Sequence, residues 1–191
     1  MGDLGAVRRQ DFRARLGDRL VIRLAVVSDT HWDIWDPTDP FAESMMKVLS
    51  SGRYDAIWHG GDVVHVSVLE ALRTIAPVLC VKGNCDRGFG EDLPHSVRRQ
   101  IEGVHIGMIH GWDLPLDHTK TVVERFPENT DVIIHGHTHK RRYEEYRADW
   151  GSCTVINPGS ITSPRAGEDP GFGELVVNGP AWSYRRHILK L

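Results

Sequence analysis

Short apolar runs alternate along the first half of the chain with stretches whose apolar residues recur every three or four positions. Residues 20–27, 56–59 and 77–81 are near-continuous apolar runs, the pattern of strands buried on both faces. Between them, residues 41–50 place Phe41, Met45, Val48 and Leu49 on one helical face, and residues 66–75 do the same with Val68, Leu69, Leu72 and Ile75. Strand and helix in alternation predict βαβ units of an α/β fold. The second half continues with a strand at 104–109, a helix at 118–126 and a strand at 132–134. Strands follow at 141–146, 153–156, 172–177 and 181–189, the last two joined by a turn at Asn178-Gly179-Pro180. One domain over residues 19–191 is expected. Residues 1–18 carry Arg8, Arg9, Arg13 and Arg15 without a strand period, and read as a flexible N-terminal extension.

Composition narrows the partners. Across 191 residues the net charge is −3, so no basic field marks a nucleic-acid surface. No run reaches the roughly 18 apolar residues of a membrane-spanning helix, and the N-terminus lacks the apolar core of a secretory signal. The cysteines (Cys80, Cys85 and Cys153) are odd in number and lack CxxC spacing. A reducing, cytoplasmic setting therefore fits better than a disulfide framework.

The apolar runs end alike. Asp29-Thr30-His31 follows the first, Gly61-Asp62 the second and Gly83-Asn84 the third; His110-Gly111 and Gly136-His137-Thr138-His139 close the runs at 104–109 and 132–134. Carboxyl ends of strands line the functional crevice of open α/β sheets. Five such loops would gather two Asp, one Asn and four His. Nitrogen and oxygen donors without thiolate suit manganese, iron or zinc better than calcium. Seven donors exceed one tetrahedral shell and suit two ions sharing a carboxylate. Continued as extended backbone, the last block would aim His137 and His139 to one side and His135 to the other. Gly136 would let the main chain approach whatever they hold.

Each block alone has a plainer reading: Asn84 as a turn residue, His110 as a packed histidine. Their joint order carries the argument. His59, His65, His95, His105, His118 and His187 match no block and read as ordinary histidines. Asp86, beside Asn84, reads as a turn residue or as a group orienting a ligand. Trp32, Trp35 and Trp112 read equally as walls of a cleft or as packing residues.

These blocks, in this order, resemble the calcineurin-like metallophosphoesterase family, whose pattern is DxH, GD, GN, H and GHxH. Asn157-Pro158-Gly159-Ser160 further resembles a loop of its small single-domain bacterial and archaeal phosphodiesterases. The resemblance implies two facing mixed β-sheets flanked by helices, a four-layer αββα sandwich with metals at one edge. It implies two divalent cofactors, manganese first and iron, zinc or nickel as alternatives. Asp29, His31 and His139 would hold one ion, Asn84, His110 and His137 the other, and Asp62 would bridge them. Asp62, Asn84 and His110 would be catalytic. The implied reaction is hydrolysis of a small phosphate ester, a diester before a monoester, by a hydroxide held between the metals.

Two departures stand out. Cys85 occupies the position where many members carry a leaving-group histidine, which the small phosphodiesterases commonly lack. A thiol is a poor general acid near neutral pH. Trp112-Asp113 follows His110-Gly111 where relatives often place another histidine. The alternative function is a catalytically silent scaffold of the same fold, similar to the family's retromer subunit. Degraded metal blocks would mark it, and here they are intact. Oligomeric state is left open, homo-oligomers included.

Overall fold

The computed structural model describes residues 21–115 and 119–190. The expected extension over 1–18 and His118 lie outside them.

Ten strands form two mixed five-stranded sheets: β1 (Val21–Val27), β2 (Ala56–His59), β3 (Val78–Cys80), β4 (Ser96–Ile101), β5 (Val104–Ile109), β6 (Val132–His135), β7 (Arg142–Ala148), β8 (Gly151–Asn157), β9 (Gly171–Asn178) and β10 (Ala181–Ile188). One sheet has the order β10-β9-β1-β2-β3, the other β4-β5-β6-β8-β7. In each, three adjacent strands run parallel: β1, β2 and β3 in one, where β3 is the edge, and β5, β6 and β8 at the centre of the other. The remaining pairings are antiparallel.

Side-chain alternation explains why the parallel strands are apolar throughout. Ile22, Leu24 and Val26 of β1 face inward with Trp58, Ile106, Met108, Val132, Ile134 and Ile156 in the core between the sheets. Ala25 and Val27 face the other way, into a cluster with Met45 and Leu49 of α1 (Pro40–Gly52) and Leu69 and Leu72 of α2 (Val66–Arg73). A third cluster joins Ile133, Cys153 and Val155 to Val122 and Val123 of α3 (Thr119–Val123) on the outer face of the second sheet. Helix, sheet, sheet and helix are thus four layers around three apolar seams, as the resemblance implied.

Local signals set the helix ends. The carboxylate of Asp39 caps α1 by accepting from Phe41 N and Ala42 N, with Pro40 opening the helix. His65 Nδ1 caps α2 by accepting from Ser67 N. The helix expected over 118–126 is regular only to Val123. Beyond it, Phe126 N donates to Val123 O in a tighter turn before Pro127, which disfavours helical backbone at the residue preceding it. Strand β4 was not apparent from the sequence: Arg98 and Arg99 interrupt its apolar pattern, and only Val97 and Ile101 turn into the core. Among the described residues no helix is long and apolar enough to cross a membrane.

Candidate metal centre

Parallel strand ends lie in register, so the loops that follow are neighbours. Val27 pairs with His59, and His59 with Cys80; across the sandwich, Ile109 pairs with His135. Main-chain bonds then stitch the loops together: Asp29 N donates to Gly61 O, His31 N to Asp62 O and Gly136 N to His110 O. Convergence on one edge is a consequence of strand register.

Five of the seven candidate donors meet there. Asp29, His31 and His139 offer ligand atoms within 4.8 Å of one another, as do Asp29, Asp62 and His110. Nε2 of His139 lies 3.4 Å from Asp29 Oδ1 and 3.1 Å from Nε2 of His31. Asp62 Oδ2 is 3.5 Å from His31 Nε2 and 3.3 Å from His110 Nε2. His137 joins through its ring, 5.3 Å from that of His110 centroid to centroid. Asn84 is exposed, and its Nδ2 donates to Cys85 Sγ at 3.3 Å. Cys85 itself forms a third group with His31 and Asp62.

The geometry of the last block corrects the period-two expectation. Strand β6 ends at His135, and His137 (φ 67°) and His139 (φ 58°) adopt left-handed backbone rather than extended. Asp29, His31 and Asp62 do the same, so five of the nine non-glycine residues with positive φ among those described are candidate ligands. Such conformations cost about 1–3 kcal/mol each and persist where surrounding bonds over-determine them. His135 is buried away from the cluster with Nδ1 beside Asn157 and Gly136.

The over-determining bonds come largely from residues outside the candidate ligand set. Asp86 is buried and its carboxylate accepts four main-chain N–H bonds, from Asp62, Val63, Val64 and Gly83, tying the β2 and β3 loops together. Of its two readings, the orienting one describes this geometry. Asn157 Nδ2 donates to Gly136 O and Thr138 Oγ1, pinning the histidine loop. Ser28 Oγ and His137 N both donate to Asp29, and Ser160 Oγ donates to Asp29 O. A Cβ at Gly136 would strike Ser28 Oγ and Asp29 Oδ2, so glycine is required for this approach. His59, fully buried, accepts from Gly61 N at Nδ1, which leaves Nε2–H for Thr30 Oγ1. Trp32 packs in the helix-side core edge-to-face with Trp35, whereas Trp112 stands 6.1 Å from His110.

Hydrogen bonding fixes which nitrogens are available to a cation. Nδ1 of His110 is 2.7 Å from Gly60 O, and Nδ1 of His139 is 2.8 Å from Ser163 O. Both Nδ1 atoms therefore carry the proton, and both Nε2 lone pairs face the cluster. Nε2 of His110 is fully buried and has no hydrogen-bond partner, although Asp62 Oδ2 is near. A neutral imidazole nitrogen and a carboxylate oxygen facing one another are two acceptors without a donor. Only a proton or a cation between them resolves that contact, so the donor set fits a metal.

In the metal-free protein the electrostatics favour neutral imidazoles at His31, His137 and His139, and a proton between His110 and Asp62 where a cation would sit. Burial lowers the pKa of His31, His137 and His139 and keeps them neutral, the ligand form. Burial opposes ionisation of Asp62, but His110 and the Cys85 N–H outweigh it and hold the carboxyl well below the usual range. Burial also opposes protonation of His110, yet the carboxylates of Asp62 and Asp29 raise its pKa. Asp29 is raised by burial to about 6. In the unfolded chain this carboxyl titrates near 3.8, so between about pH 4 and 6 the metal-free folded protein holds a proton that the unfolded chain has lost. The Asp29 contribution to stability therefore falls as pH rises through that window and stays lost above it. Urea unfolding of metal-free protein should show the wild-type minus Asp29→Asn difference declining from pH 4 to pH 7; a flat difference would refute this.

The chain is similar to known proteins in sequence and fold. The family model of the calcineurin-like phosphoesterase superfamily domain matches residues 22–178. A probable metallophosphoesterase of Methanothermobacter thermautotrophicus is 35% identical over 157 residues, covering 82% of this chain and 86% of the relative. Phosphodiesterase YfcE of Escherichia coli is 27% identical, covering 67% of each chain. Among solved structures, Vps29 of Chaetomium thermophilum superposes with a TM-score of 0.67 at 20% identity, over 91% of this chain and all of that one, a likeness of fold alone. Fold, converging loops and sequence match lead to one conclusion: the chain belongs to the calcineurin-like phosphoesterase superfamily.

Proposed function

We propose that the protein is a metal-dependent phosphodiesterase with a dinuclear centre. The observation that carries this is the buried His110 Nε2, orphaned beside Asp62 Oδ2 where Asp29, His31 and His139 also converge. Asp29, His31 and His139 would hold one ion and Asn84, His110 and His137 the other, with Asp62 between them. Manganese, iron, zinc and nickel are the candidate cofactors. Such a pair supplies an activated water nucleophile and neutralises phosphoryl oxygens as charge builds in the transition state.

The chain's own groups do the positioning. Gly60 O and Ser163 O fix the tautomers of His110 and His139, and Asp86 holds the Asp62 loop against the Asn84 loop. Burial and the Asp62 charge push the Cys85 thiol up to about 11, so it is a weak proton donor to a leaving group. A substrate whose leaving group is stable as an anion suits such a site, and relatives named as phosphodiesterases support a diester. The scaffold alternative draws on Vps29, whose likeness extends to fold only.

Chelation followed by manganese should abolish and then restore release of nitrophenol from bis-p-nitrophenyl phosphate. Metal at a hundred times its Kd should also stabilise the fold by about 2.7 kcal/mol, or about 5–10 °C in Tm. No turnover with manganese, iron, nickel or zinc, in protein shown to bind the metal, would rule the enzyme out.

A further inference from the structure

The phosphoesterase reading leaves Cys85 only the role of a weak proton donor. Its side chain is half-buried, and Sγ lies within 4.8 Å of the ligand atoms of His31 and Asp62. The residue is held by two main-chain bonds and one bond to its sulfur. Cys85 N donates to Asp62 Oδ1 at 2.8 Å, Asn84 Nδ2 donates to Sγ at 3.3 Å, and Arg87 N donates to Cys85 O at 3.0 Å. Sulfur therefore already acts as an acceptor at the edge of the donor set. The independent sign that a cation belongs there is the fully buried His110 Nε2, aimed at the same Asp62 carboxylate and without a hydrogen-bond partner. Cys80 and Cys153, buried elsewhere, belong to none of the donor groups among the described residues.

We propose that Cys85 Sγ is a metal ligand, joining His31 and Asp62 at the centre and giving it a soft donor. The inference rests on the metal-centre reading above. As the sulfur–metal bond forms, the S–H bond breaks and its proton leaves to solvent; no oxidant or reductant is involved. A thiolate favours zinc, iron and cobalt over manganese, because soft sulfur binds these ions better than the harder one. The position that elsewhere in the family carries a leaving-group histidine would here select the metal.

Cobalt(II) is the probe. Loaded into the metal-free full-length protein, it should give visible d–d bands together with a near-ultraviolet thiolate-to-cobalt charge-transfer band. Cys85→Ser should lose the charge-transfer band and keep the d–d bands, and Cys153→Ser should keep both. In competition between zinc and manganese, Cys85→Ser should lose part of the wild-type preference for zinc. Cobalt bound with no charge-transfer band in the wild type, or a band that survives Cys85→Ser, overturns the ligand role and leaves the phosphoesterase reading standing. Failure to bind cobalt at all overturns both. Circular dichroism of Cys85→Ser separates loss of the ligand from loss of the fold.

Discussion

Asp62→Asn should lower turnover of bis-p-nitrophenyl phosphate by about 10²–10³-fold or more while leaving the protein folded, the scale of losing a preorganised electrostatic group. Asp62 lies 3.5 Å from His31, 3.3 Å from His110 and within 4.8 Å of Cys85 Sγ, so it is shared by every part of the proposed centre. Asparagine keeps the shape and can still accept the Cys85 N–H bond now made to Oδ1. What it removes is the negative charge that would neutralise two cations. Metal content measured after dialysis should fall in parallel, with circular dichroism unchanged. Activity within tenfold of wild type at full metal loading would remove Asp62 from the centre.

Asp86→Ala should have the largest effect on stability. The carboxylate is buried and is an acceptor for four N–H groups on two loops, and alanine strands all of them. A stranded buried donor costs about 1–3 kcal/mol, and entry of water recovers part of the total. A net loss of about 3–5 kcal/mol, or about 10 °C in Tm, is expected. Metal affinity should fall as well, since Asp62 and Gly83 lose their common anchor. Gly83 marks how tightly the loops meet: a Cβ there would strike the Asp62 carboxylate and its main-chain nitrogen. Thermal melts with and without manganese test both parts, and a Tm within about 2 °C of wild type would refute the tethering role.

Much of the fold was legible because burial on both faces leaves a local trace. A strand such as β1, with Ile22, Leu24 and Val26 facing one seam and Ala25 and Val27 another, has no polar position to hide it. Edge strand β4 had no such trace, since its arginines are satisfied at the rim, where Arg98 reaches Asn129 and Thr130. The candidate donors were visible as residue types at strand ends. Their supports were less so: Asp86 reads in sequence either as a turn residue or as a group orienting a ligand, and nothing local separates the two. The backbone of the histidine loop was also hidden. Left-handed φ at His137 and His139 is imposed by contacts with Asp29, Asn157 and Ser163 from distant parts of the chain.

The sequence by itself determined the α/β alternation, the donor types and their order, because strand length, apolar period and loop chemistry are local properties. Only the tertiary structure decided which donors meet and how each imidazole is turned. It brought Asp29, His31, Asp62, His110 and His139 together, set Asn84 at the exposed margin and drew Cys85 in. Those outcomes depend on strand register and on hydrogen bonds between loops more than a hundred residues apart, such as His137 N to Asp29 and Ser160 Oγ to Asp29 O, which no local pattern encodes.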